Sequence, residues 1–229
     1  MALSADQSEH TSQAIRPVSV VDAVYDSIYE RLMSLEIAPG ARIPMDLIAR
    51  ELGVSQTPVR EALARLERER LVCKAHLIGF SSAPLLTRKQ FDDLSSFRLL
   101  LEPEGARLAA LRMTPEKLKA LEGIAADMAE GAPALDRTSR YSRFARIDGQ
   151  FHDAVLQIAG NEVIRSTLHN QHVHLHLFRL MFHTRVTQEA LEEHEELLAA
   201  FRAGDAPRAE AAMRAHLSAS RDRLLQAFE

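Results

Sequence analysis

The run Glu51-Leu52-Gly53-Val54-Ser55-Gln56-Thr57-Pro58-Val59-Arg60-Glu61-Ala62-Leu63 reads as one helix ending, a tight turn, and a second helix beginning. Gly53 stands where the residue after a helix end needs positive φ. Ser55 is placed to cap the second helix through its hydroxyl, and Pro58 fits the first turn, where an amide hydrogen is dispensable. That helix presents Ser55, Gln56, Thr57 and Arg60 at its exposed N-terminal end. This is the end that meets base edges and phosphates in a helix-turn-helix. Ala62, Leu63, Leu66 and Leu71 recur on the opposite face and are expected to bury against the preceding helix.

The flanks extend this pattern. Val24, Ile28 and Leu32 with Leu35 predict an amphipathic helix from near Val20, closed by the turn Ile37-Ala38-Pro39-Gly40. Arg42-Ile43-Pro44 leads into a short helix from about Met45 to Leu52. Leu71 to Lys74, a turn near His76 to Gly79, and Phe80-Ser81 predict a two-stranded wing. Cys73 is the only cysteine, which excludes an internal disulfide and suits a reducing cytoplasm. It is expected to be a small, buried or half-buried wing residue rather than a redox sensor.

After Pro84 the periodicity is helical almost throughout. Thr87 caps a helix carrying Phe91, Leu94, Leu101, Leu108 and Leu111, with a bend near Pro103. Thr114-Pro115-Glu116 opens another helix, to about Glu130, and Gly131 to Pro133 breaks the chain. Further helices are predicted for Ser139 to Ala159, Glu162 to Thr184, Thr187 to Ala203 and Ala206 to Phe228. Gly160-Asn161 and Gly204-Asp205 act as stops. The expected fold is mainly α: an N-terminal winged helix-turn-helix of three helices and a small β-wing, then an antiparallel all-α bundle. The predicted domains are a disordered tail (1–16), the winged helix-turn-helix (17–82) and the bundle (83–229).

A chain of 229 residues, 46% hydrophobic, supports two such units. No apolar run reaches the ~18 residues of a membrane span, and Met1 to Arg16 lack the apolar core of a signal peptide. A net charge of −4 is unusual for a DNA binder. Locally, however, Arg42 to Lys74 carry seven basic residues against five acidic ones. So small a surplus predicts reliance on well-placed contacts and on a dimer, in which two weak half-sites add their free energies.

The chemistry of the helical half gathers in few residues. Asp148 and His152 are four apart and share one helix face. His194 lies in the run Glu192 to Glu196, whose acids read as a solvated face around it, and His216 lies on the last helix. Three imidazoles and a carboxylate suit a first-row divalent ion with positions left open for a ligand. On spacing alone the signal is weak, because dispersed histidines are more often surface or hydrogen-bonded core groups. His169, His172, His176 and His183 form a helical stripe, read either as a pocket wall for an anion or as a solvated face; His174 falls off it.

The N-terminal motifs resemble the DNA-binding domain of GntR-family transcription regulators, over roughly residues 20 to 82. Carrying the resemblance are Ile37 to Arg42, Leu47-Ile48-Ala49, Leu52 to Ser55, Thr57 to Leu63 and Leu66-Glu67. Two positions depart from the family. Gln56 replaces the usual Arg, and Gln prefers adenine where Arg prefers guanine. Arg70 stands where a Gly normally precedes the wing. Asp148 to His152, Ala159-Gly160-Asn161, Glu193-His194, Gly204-Asp205 and Met213 to Leu217, with Phe97 to Glu102, resemble the FCD effector domain of the FadR-type subfamily, over roughly 85 to 229.

The resemblance implies Asp148, His152, His194 and His216 as ligands of a divalent transition metal, zinc first, with nickel, manganese or iron also admissible. It places Arg98 at a ligand pocket, although Arg98 can equally bridge to Glu102 one turn on. His172 and His176 are the other candidate ligand-binding residues. The function implied is a cytoplasmic homodimer on a double-stranded DNA operator, with a small carboxylate effector, no membrane partner and no catalysis. The alternatives are a metal sensor or a metallohydrolase. In this reading Gln56 and Arg60 face bases, Arg42, Ser55, Thr57 and the wing residue His76 face backbone or groove, and the pivot lies near Ser81 to Leu86.

Overall fold

The computed structural model describes residues 19–129, 137–180 and 187–228. The expected tail, the break at Gly131 to Pro133 and His183 lie outside them. The N-terminal unit comprises α1 (Val20–Met33), β1 (Arg42–Ile43), α2 (Met45–Glu51), α3 (Gln56–Arg68), β2 (Val72–Ala75) and β3 (Gly79–Ser82). Val24, Ile28 and Leu32 of α1 bury against Val59, Leu63 and Leu66 of α3.

The turn into α3 forms as its residues dictate, with one correction. Gly53 adopts φ 65°, and Val54 N donates to Ala49 O at 2.9 Å. Ser55 has the extended backbone of an N-cap, but its hydroxyl makes no capping bond. Pro58 occupies the third helical position and has no amide hydrogen, so one of the two donors such a cap uses is missing.

The wing has three strands rather than two, in the order β1-β3-β2. β1 pairs antiparallel with β3 (Arg42 opposite Ser81, Ile43 opposite Phe80), and β2 pairs with β3 from the other side. A two-residue strand ended by Pro44 is too short to show alternation in the sequence. Cys73 is exposed, not buried, because β2 is an edge strand that turns only Val72 inward. Arg70 adopts φ 59°, a left-handed backbone that favours the Gly it replaces, and its side chain reaches Gln171 at 3.2 Å.

The second unit contains α4 (Arg88–Leu111), α5 (Pro115–Ala129), α6 (Arg137–Ala159), α7 (Glu162–His169), α8 (Val173–Phe178), α9 (Thr187–Arg202) and α10 (Ala206–Leu225), closed by a 3-10 turn (Gln226–Phe228). Thr87 and Gln90 form a reciprocal capping box at α4, which runs on through Pro103. Asn161 caps α7 and Asp205 caps α10, each accepting a backbone N–H. The single helix expected from Glu162 to Thr184 is broken. Asn170 and Gln171 turn the chain, and His172 adopts φ 48° before α8 starts. Phe144, Phe151, Val155, Leu197, Phe201 and Met213 centre the bundle core.

The two units share a seam. Ala145 of α6 is part of the N-terminal core, and the Tyr29 hydroxyl donates to Ser142 O at 3.4 Å. Arg146 pairs with Asp26 at 2.9 Å. Arg179 is 1% exposed, and its Nη2 donates to Ser82 Oγ (3.1 Å) and Ala83 O (2.8 Å), which pins the connection between the units.

Candidate metal centre and nucleic-acid interface

Three helices bring four buried side chains together. Asp148 and His152 project from successive turns of α6, His194 from α9 and His216 from α10, and one ligand atom from each lies within 4.8 Å of all the others. Each residue is at most 4% exposed. Phe151 packs edge-on against His194 with centroids 4.7 Å apart and backs the cluster with apolar surface.

Carboxylates fix the orientation of two imidazoles. His152 Nδ1 donates to Glu102 Oε2 at 2.6 Å, and His216 Nδ1 donates to Glu193 Oε2 at 2.8 Å. Arg98 holds Glu102 at 2.5 and 3.2 Å, and Arg223 holds Glu193 at 2.5 and 2.9 Å. With both Nδ1 atoms protonated, both Nε2 atoms carry lone pairs, and they face each other at 3.2 Å. Two neighbouring ligands about 2.1 Å from one ion are separated by about 3.0–3.4 Å, so this spacing fits a shared cation. His194 supplies the second sign. Among the described residues neither of its ring nitrogens has a hydrogen-bond partner, although Nε2 lies 3.3 Å from Asp148 Oδ1, off hydrogen-bond geometry. Such a buried orphan is costly unless something else takes its lone pair.

The electrostatics agree with a ligand set. Burial pushes His194 down to about 3, assisted by the charge of His216, and burial also lowers His152 and His216. The downward shifts favour the neutral imidazole, the form that binds metal. Burial would raise the Asp148 carboxyl, but the hydrogen bond and charge of His174, with His152 and His194, hold it well below the usual carboxylate range. Glu193 is lowered to about 2: burial opposes the shift and is outweighed by Arg223 and His216. Glu193 is therefore half-buried behind His216 rather than part of the solvated face expected for it, while Glu192, Glu195 and Glu196 are exposed.

The remaining candidates separate. Arg98 forms the i,i+4 bridge to Glu102; Glu102 and His152 line a cavity between the two units and Arg98 does not. His172 lines that cavity, of about 340 Å³, whereas His176 lines a different groove beside Arg70 and Cys73. His174, which the stripe excluded, is in the site: its Nδ1 donates to Asp148 Oδ2 at 2.7 Å and its ring lies 4.6 Å from that of His152. The stripe assumed a continuous helix. The left-handed residue at His172 resets the helical phase and turns His174 inward. Gly149 faces it, since an added Cβ would lie 3.4 Å from His174 Cβ. Sequence reasoning also misses Glu102, and Tyr25, which lines the same cavity; the Arg98-to-Glu102 spacing is the only signal for the first.

Arg42, Ser55, Gln56, Thr57, Arg60 and His76 are all exposed. Four of them sit at the start of α3, Arg42 on β1 and His76 in the β2–β3 turn. Neither Arg42 nor Arg60 is in an ion pair among the described residues, whereas Arg65 pairs with Asp22 at 3.1 Å and Arg50 with Asp46 at 3.6 Å. Such cations, one near a helix start and one on the adjoining strand, suit phosphates and base edges.

A winged helix joined to a helical bundle with a buried three-imidazole, one-carboxylate cluster has the architecture of a transcription regulator with a second, helical domain. Comparison with known proteins gives its family. Residues 20–80 match the bacterial regulatory proteins of the gntR family and residues 93–219 match the FCD domain, so the chain belongs to the FCD-containing GntR regulators. It is 31% identical over 201 residues to an HTH-type transcriptional regulator from an unstable DNA locus of Streptomyces ambofaciens, covering 86% of this chain and 81% of the relative. It is 29% identical over 218 residues to the regulator LutR of Bacillus subtilis, covering 85% and 96%. The solved structure of Escherichia coli McbR/YncC shares its fold, with a TM-score of 0.68 at 22% identity over 93% of this chain and 100% of that one. These relatives are transcriptional regulators, not enzymes, and among the described residues no helix is long and apolar enough to cross a membrane.

Proposed function

We propose that the chain is a homodimeric, ligand-responsive regulator that binds a near-palindromic operator and senses a small organic acid at a metal-containing pocket. In this reading residues 17–82 bind double-stranded DNA and residues 83–229 sense the effector, in the cytoplasm where the DNA lies. Gln56 and Arg60 read base edges in the major groove, while Arg42, Ser55, Thr57 and His76 contact backbone or groove. The exposure of all six supports these roles.

Asp148, His152, His194 and His216 hold the metal, zinc first, with nickel, manganese or iron admitted by the same donor set. When bound, the ion would supply a Lewis-acidic anchor for a carboxylate oxygen. Glu102 and Glu193 orient the two histidines, and Arg98 and Arg223 steady those carboxylates. His172 faces the ligand; Arg98 acts through Glu102, and His176 serves the other groove. The observation that carries this reading is the pair of Nε2 lone pairs facing each other at 3.2 Å, which a shared cation reconciles with both Nδ1 bonds. A gel-shift titration on a selected operator tests it. A carboxylate should change the DNA affinity of metal-loaded protein and have no effect once a chelator has stripped the metal. DNA affinity that follows metal concentration alone, with no response to any carboxylate, would make the chain a metal sensor instead.

A further inference from the structure

The cavity of about 340 Å³ beside His152 is walled by both units. Its volume lies at the lower end of small-ligand sites, roughly 300–1,000 Å³. Its floor is one face of α6, on which Ala145, Gly149, His152 and Leu156 follow at helical spacing. Ala145 is buried in the N-terminal core. His152 stands seven residues further on, roughly 10 Å along the helix axis. The cavity therefore runs from a proposed metal ligand to the tyrosines of α1. Tyr25 and Tyr29 stack at 6.0 Å between centroids, with the Arg146 guanidinium 4.4 Å from the Tyr29 ring. From α3, Arg65 lies 4.0 Å from the Tyr25 ring, and Glu69 accepts the Tyr25 hydroxyl at 2.5 Å.

We infer that the effector is a carboxylic acid with an aromatic body, its acid group at the His152 end and its ring against Tyr25 and Tyr29, so that α1 and α3 contact it directly. This rests on the metal-anchored sensing reading above. Tyr25, Tyr29 and Arg146 line the cavity, and aromatic and guanidinium groups offer ring and cation–π contact to an aromatic body. Ala145, Leu156, Leu168 and Val173 give the cavity apolar wall against which a ring can be buried. Coupling then needs no relay. A ring seated there touches α1 and the C-terminal half of α3, whose opposite end carries Gln56 and Arg60. The occupied cavity thus favours one placement of α3 relative to α6 over others.

The test uses zinc-reconstituted full-length protein titrated with phenylacetate and acetate, which share the acid group and differ by the ring. The chain has no Trp, and two of its three tyrosines line the cavity, so tyrosine absorbance reports the arrival of a ring. Phenylacetate should bind at least ~10-fold more tightly than acetate and perturb the tyrosine spectrum. Arg146→Gln, at a side chain 39% exposed, should weaken phenylacetate about 3- to 10-fold and leave acetate unchanged. Tyr25→Phe keeps the ring but breaks the link to Glu69, so phenylacetate should still bind while its effect on DNA affinity shrinks. Equal affinity for the two acids with silent tyrosines would overturn the inference and leave metal-anchored sensing standing. Failure of both acids to bind metal-loaded protein would overturn both.

Discussion

Arg223 grips Glu193 through both guanidinium Nη atoms, at 2.5 and 2.9 Å, and so fixes the carboxylate that orients His216. Outer partners of this kind set the basicity and direction of a metal-binding imidazole, and their loss typically costs ~10- to 100-fold in metal affinity. Glu193→Gln should lower zinc affinity by about that factor in a competition titration against a chromophoric chelator. Unchanged affinity would show that His216 needs no such support.

The N-terminal core makes a separate prediction. Leu63 is fully buried between α3 and α1. Leu63→Ala removes its apolar contacts and leaves a void, a loss of about 2–5 kcal/mol. Urea denaturation should show that loss in the unfolding of the N-terminal unit. A shift under about 0.5 kcal/mol would mean that this core is looser than its burial indicates.

Acid should destabilise the junction between the units through His176. Burial, with the nearby charges of Arg179, His172 and Arg70, pushes its imidazole from 6.5 down to about 4. Between those values the unfolded chain takes up a proton that the folded one refuses, so stability falls as pH drops through that window. The loss through this one group is on the order of 1–3 kcal/mol. Thermal melts of wild type and His176→Gln over this range should converge as pH falls. Parallel curves would contradict the assignment.

At the DNA surface, Arg60→Ala should weaken operator binding by at least ~5-fold, about 1 kcal/mol or more. Gln56→Arg should move a selected operator from adenine towards guanine at one position of each half-site. An unchanged selected sequence would remove Gln56 from base reading.

Local grammar carried much of this molecule. Gly53, Thr87, Asn161 and Asp205 sit at the turns and caps their chemistry favours. The cluster Asp148, His152, His194 and His216 was readable because a family resemblance joined residues that spacing alone leaves unrelated. What escaped depends on interruption or on tertiary meeting. His174 was turned inward by a left-handed residue two positions before it, which a helical period cannot register. The missing Ser55 cap followed from Pro58, whose ring suits the first turn but removes a donor. The Tyr25, Tyr29 and Arg146 wall exists only because α1 docks on α6, a contact between stretches some 120 residues apart.

The central claim is that Asp148, His152, His194 and His216 bind one divalent ion. Elemental analysis of full-length protein, reconstituted with zinc and freed of excess metal, measures this directly. The account predicts about one ion per chain in the wild type and a near-complete loss in His194→Ala, with both proteins folded by circular dichroism. Equal metal content in the two proteins, or none in the wild type with zinc, nickel, manganese or iron, would contradict it.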